Sequence, residues 1–188
     1  MEKLVGVLDY GPKDLADSFR AVRKDSIIIA EEIGEEHFGF SPANGTRTIA
    51  QLLTHIAAAP KLQQQFHSIN HYDPLQAADF RGFVARFLAE QEAERTAPRT
   101  KAQILELLRS GGELFAQWLE DLPPDFLDER VAVEPGKTKT RFEVILRVKE
   151  HEIHHRGQLM LIERMIGLVP HTTRNKTAQA AATARTSV

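Results

Sequence analysis

The chain has 188 residues, 42% hydrophobic and 27% charged, with a net charge of −2, the profile of a soluble globular domain with a substantial core. No basic stripe stands ready to neutralise a phosphate backbone and no apolar run is long enough for a bilayer, so neither nucleic acid nor membrane is an expected partner. Cysteine is absent, which excludes disulfides, thiolate metal sites and chemistry on a protein thiol.

The N-terminal stretch Met1–Asp14 lacks the pattern of a signal peptide, so a cytoplasmic location is expected. Helical periodicity begins at Pro12 and ends at Gly34, with Leu15, Phe19, Val22, Ile29 and Ile33 on one stripe. Thr48 and Gln51 form a capping-box pattern that opens a second helix. Its inward face carries Leu52, His55, Ala59, Leu62 and Phe66, and Pro60 predicts a kink. Phe80, Phe83, Val84, Phe87 and Leu88 predict a short extra helix. Thr100 and Gln103 cap a third main helix carrying Ile104, Leu107, Leu108, Phe115, Trp118, Leu119 and Leu122, which Pro123-Pro124 ends.

Glu134-Pro135-Gly136-Lys137 lies between Val131-Ala132-Val133 and Thr138-Lys139-Thr140, which predicts a small hairpin or extended loop. Thr140 and Glu143 cap the last main helix, with Ile145, Val148, Leu159, Ile162 and Ile166 on its stripe and Gly167 and Pro170 as stop signals. The expected fold is all-α: an antiparallel four-helix bundle with an extra helix and a hairpin, forming one domain over residues 1–170. Residues 171–188 are rich in Thr, Ala and Arg without an apolar stripe, and predict a disordered tail.

The chemistry concentrates in Glu150-His151-Glu152-Ile153-His154-His155-Arg156-Gly157-Gln158. Positions i and i+4 share a helix face, so His151 and His155 can grip one divalent ion together. His55 faces inward on the second helix and is the natural third ligand. Three protein ligands leave a position open, as a catalytic centre requires. His154 points about 100° away from the stripe and is read as a flank residue. His37, His67, His71 and His171 fall near segment ends and are expected to be solvated. The same stretch matches the His-Glu-x-x-His metalloprotease pattern. Gln158 and Leu161 stand where the longer protease pattern needs glycine and histidine, which makes protease the weaker reading.

These two motifs, Thr48-Ile49-Ala50-Gln51-Leu52-Leu53-Thr54-His55 and His151 to Leu159 with Arg164 and Gly167 behind it, resemble those of the DinB/YfiT-like superfamily over about residues 12–170. The resemblance implies a four-helix bundle, commonly a homodimer, whose divalent ion is held at the positions of His55, His151 and His155. It also implies kinship with transferases and isomerases that use low-molecular-weight thiols. The long insert around residues 70–95 and the polar tail depart from the pattern.

The expected function is a metal-dependent enzyme, in first place a thiol-dependent S-transferase or detoxifying enzyme acting on a small thiol and an electrophile. The ion would be zinc or nickel ahead of iron or manganese. Glu152, beside a ligand, is the candidate proton acceptor, with helix pairing as its alternative role. A hydrolase using metal-activated water, and a non-catalytic dimer stapled by the ion, are the competing readings.

Overall fold

All four stripes are helices. The computed structural model describes residues 10–68, 77–90, 92 and 96–186. Helix α1 spans Pro12–Glu32, α2 Ile49–Ser68, α3 Ala77–Glu90, α4 Lys101–Glu120, α5 Arg141–Met165 and α6 His171–Thr186. Strands β1 (Arg130–Glu134) and β2 (Lys137–Thr140) form the hairpin before α5. His71 and the Phe80 side chain lie outside what is described.

The capping boxes close reciprocally. The amides of Thr48, Thr100 and Thr140 donate to the side chains of Gln51, Gln103 and Glu143 at 2.9, 2.9 and 2.8 Å. Each threonine hydroxyl accepts the return bond from the partner's amide at 3.2, 3.3 and 3.1 Å. Two donors that a helix start would otherwise leave orphaned are thereby satisfied at each site. Gly136 takes a positive φ of 74° in the hairpin turn, the conformation that position demands of glycine. At the far end of α5, Gly167 has φ 86°. There the Leu168 amide donates back to the Glu163 carbonyl at 2.8 Å, ending the helix in a Schellman turn.

Helices α1 and α2 each pack against both α4 and α5. Two apolar cores fill the bundle. One gathers Ile29, Ile33, Leu53, Ile56, Ile104, Leu108, Leu159 and Ile162. The other gathers Leu15, Phe19, Phe115, Leu119, Ile145 and Val148. The order of these residues along each helix shows α1 and α5 running one way and α2 and α4 the other.

Between the cores sits a buried charge. Arg23 of α1 donates through Nε and Nη2 to both carboxylate oxygens of Glu152 on α5, at 2.8 and 2.9 Å. Its Nη1 donates to the Leu108 carbonyl on α4 at 2.9 Å, and Nη2 reaches the Ile56 carbonyl on α2 at 3.4 Å. One guanidinium thus ties all four helices. The Ile56 carbonyl is available because its usual helical donor would be residue 60, and Pro60 has no N–H. Helix α2 runs unbroken through Pro60, and Arg23 supplies a donor that the proline cannot. Gly112 makes room for it, since a Cβ there would stand 2.9 Å from Arg23 Cγ. Gly112→Ala is expected to cost about 1–3 kcal/mol through this overlap, measurable by urea unfolding.

Two expectations change, one for the tail and one for His67. The tail is helical over His171–Thr186 and its start is anchored: His171 is buried, and Arg174 pairs with Glu32 of α1. The apolar side of α3 is partly used within the chain, since Phe87 is buried and Phe83 meets Phe66 with ring centroids 5.5 Å apart. His67 is not solvated. It lies among Phe66, Trp118 and Phe126, and its Nδ1 accepts from Arg141 Nη1 at 2.8 Å.

Burial, and then the Arg141 charge, pull the His67 pKa from 6.5 down to about 3. Below pH 6.5 the unfolded chain takes up a proton at this residue that the folded chain refuses, so its contribution to stability is lost as pH falls from about 6.5 towards 3. His67→Gln should flatten that part of the stability profile, as followed by urea midpoints at successive pH values.

A three-histidine candidate metal centre

The buried stripe of α5 runs Val148, Glu152, His155, Leu159, Ile162, spaced by fours and threes as a helix packed in a bundle requires. His151 therefore falls on the flank that faces α2, where His55 projects from the second turn of its own helix. The three rings meet edge to face, with centroids 4.4–4.9 Å apart. His151 Nε2 lies 2.9 Å from His55 Nε2 and 3.1 Å from His155 Nε2. The three expected ligands are thus brought together, each offering a nitrogen within 4.8 Å of the others.

The protonation pattern suits an ion. His155 Nδ1 donates to Gln158 Oε1 at 2.7 Å, which fixes the hydrogen on Nδ1 and leaves Nε2 as a lone pair. Burial, followed by the charges of His155, His154 and Arg47, lowers the His151 pKa to about 4. His155 is lowered too, chiefly by burial. Both rings are therefore neutral near pH 7. A single hydrogen on His151 Nε2 cannot serve both close nitrogens well, whereas a cation accepts all three lone pairs. The two close separations are slightly under the roughly 3.3 Å that metal–nitrogen bonds of about 2.0–2.1 Å give in a tetrahedron. The cluster can hold a metal ion.

The sequence motif includes Gln158 but does not show that it orients His155. Its other end, Nε2, donates to His154 Nε2 at 3.3 Å. Gln158→Leu is expected to weaken metal binding about 10–100-fold, as loss of an outer-shell partner does. Gln158→Glu keeps an acceptor for His155 and should retain affinity; competition with a chromogenic chelator measures both.

Glu152 does not face the imidazoles. It is 1% exposed and both its oxygens are held by Arg23, so of its two expected roles the position matches helix pairing, not proton transfer. His154 is exposed and outside the ligand set, but it lines the cavity that opens over the centre. Arg156 pairs with Asp25 of α1 at 2.6 Å, and Gly157 faces open space.

That cavity measures about 490 Å³. His55 and His151 line it together with Ala58, Ala59 and Leu62 of α2, Phe87 and Leu88 of α3, and Val148 of α5. Its polar lining comes from Gln63, Arg147, Glu150 and His154. The size falls within the range of small-molecule sites, and the extra helix α3 supplies one wall.

Comparison with known proteins places this geometry. The family model of the DinB superfamily matches residues 18–159. YjoA of Bacillus subtilis is 25% identical over 155 residues, covering 81% of this chain and 89% of YjoA. The YjoA crystal structure superposes with a TM-score of 0.59 at 21% identity, over 82% of this chain and 92% of that one. A DinB-like protein from Bacillus cereus gives 0.62 at 16% identity, over 83% and 93%. The colibactin self-resistance protein ClbS, solved in complex with double-stranded DNA, gives 0.59 at 13% identity, over 84% and 98%.

The ClbS complex corrects the expectation that nucleic acid is excluded. A net charge is a sum over the whole chain and does not report local patches, and a protein of this fold holds a duplex. Among the described residues, no helix is long and apolar enough to cross a membrane. With the matched region spanning α1 to the second half of α5 and containing all three histidines, the chain belongs to the DinB superfamily.

Proposed function

We propose that the protein is a metal-dependent enzyme that joins a small thiol to an electrophile, in a detoxifying role. The observation that carries this reading is the opening of the three-histidine cluster into a mostly apolar cavity of about 490 Å³. A cluster meant only to staple helices needs no such cavity. A divalent ion held there, zinc or nickel first, supplies Lewis acidity that makes a bound thiol a nucleophile near neutral pH. His55, His151 and His155 provide a neutral donor set, which leaves the ion's charge available to an incoming anion. The apolar walls exclude water and bind the carbon skeleton. The chain brings no cysteine, so the sulfur belongs to the substrate.

The cytoplasm, where small thiols are kept reduced, is the fitting location. The self-resistance role in the name of ClbS adds support for detoxification. A homodimer is proposed on the resemblance and on the exposed Leu161 and Met165 of α5; a monomer in light scattering at micromolar concentration rejects it.

Elemental analysis of freshly purified protein, followed by turnover assays with and without thiol, tests the function. Turnover that requires both metal and thiol supports it. Turnover unchanged without thiol moves the assignment to hydrolysis by activated water.

A further inference from the structure

We infer that Arg147 is the recognition residue for an anionic group, most simply a carboxylate, at the far end of the small molecule whose reactive end lies at the histidine centre. This rests on the function proposed above and adds the ligand's second handle. Arg147 lines the same cavity as His55 and His151 and precedes His151 by four positions, one turn along the same face of α5.

Unlike six other arginines, it has no partner among the described residues. Arg20, Arg23, Arg109, Arg141, Arg156 and Arg174 each hold a carboxylate. Arg147 makes no ion pair or hydrogen bond among the described residues, although Glu150 lines the same cavity three positions on. Glu152, adjacent to His151, is consumed by Arg23. On the opposite side, Arg47 lines the neighbouring cleft beside Gln158. A chain of net charge −2 thus presents unpaired arginines on both sides of a neutral ligand set. Such a local field gathers anions whatever the overall charge.

The apolar walls of the cavity that Arg147 shares with the imidazoles are Ala58, Ala59, Leu62, Phe87, Leu88 and Val148. The ligand class that fits is an unbranched or lightly branched skeleton with a metal-seeking sulfur at one end and an anion at the other. A guanidinium fork suits a carboxylate better than an ammonium group does.

The test compares 6-mercaptohexanoate with 6-mercaptohexan-1-ol, whose thiols are too far from the variable end to differ in acidity. Cobalt-substituted protein reports sulfur binding through its charge-transfer band. Wild type should bind the acid about fivefold to tenfold more tightly than the alcohol, an advantage lost in Arg147→Met and partly kept in Arg147→Lys. Cobalt content and alcohol affinity should be unchanged in both variants. Equal binding of acid and alcohol by wild type, or a preference that survives in Arg147→Met, overturns the assignment. Failure of the metal reading looks different: no cobalt is retained by wild type. Calorimetric titration of the same two compounds into metal-free protein then decides the role of Arg147 by the same acid-over-alcohol comparison.

Discussion

Glu152→Ala should cost about 3–5 kcal/mol, the usual result of leaving one member of a buried ion pair without its partner. In a chain of this length that is a fall of roughly 6–20 °C in melting temperature. Arg23 is 3% exposed, so the stranded guanidinium has little water to turn to. Arg23→Met should cost a similar amount, because it strands Glu152 and also removes the donor to Ile56. The double variant Arg23→Met/Glu152→Leu is the informative arm. Replacing both charges by apolar groups is often neutral or stabilising, so most of the loss should return. If each single variant melts within about 2 °C of wild type, the pair is not the tie between helices described above.

The second large effect falls on metal content. His55→Ala, His151→Ala and His155→Ala should each lower affinity by more than the roughly 10–100-fold expected for an outer-shell change, leaving little metal after gel filtration. His154→Ala should retain it, since that ring lines the cavity rim and contacts Gln158 instead. Melting temperatures should respond less than to Glu152→Ala, because these variants break no buried ion pair. Equal metal content in all four variants sinks the three-ligand assignment.

Much of this was legible in the sequence because it is local. The capping boxes at Thr48, Thr100 and Thr140 need only four residues each, and the apolar stripes need only a helix. His151 and His155 could be paired by spacing alone, and His55 by its place on the stripe of α2. What escaped is set by contacts distant in sequence. Glu152 looked like a companion of the ligands because it neighbours one, yet it occupies the centre of the buried stripe one turn after Val148. A charged residue in the corresponding place on α1, Arg23 one turn after Phe19, was the available signal. His67 and His171 read as solvated because helix ends usually are; Phe126 covers one, and the other, the first residue of α6, is buried beside Asp25 of α1. The role of Gln158 depends on a rotamer, which no spacing reveals.

The ligands' spacing along the chain has a consequence for how the centre is assembled in the cell. His151 and His155 share one helical turn, whereas His55 precedes His151 by 96 positions. An emerging polypeptide offers an ion at most a two-imidazole clamp, and the third donor arrives only when α2 has docked on α5. Such distant pairings form late in folding, and here Arg23 links α2 and α5 through Ile56 and Glu152. On the metal-binding reading proposed above, metallation is expected to follow folding, the reverse of a zinc finger, in which metal drives the chain to fold. A chelator is then expected to leave an intact bundle that can take up an ion again.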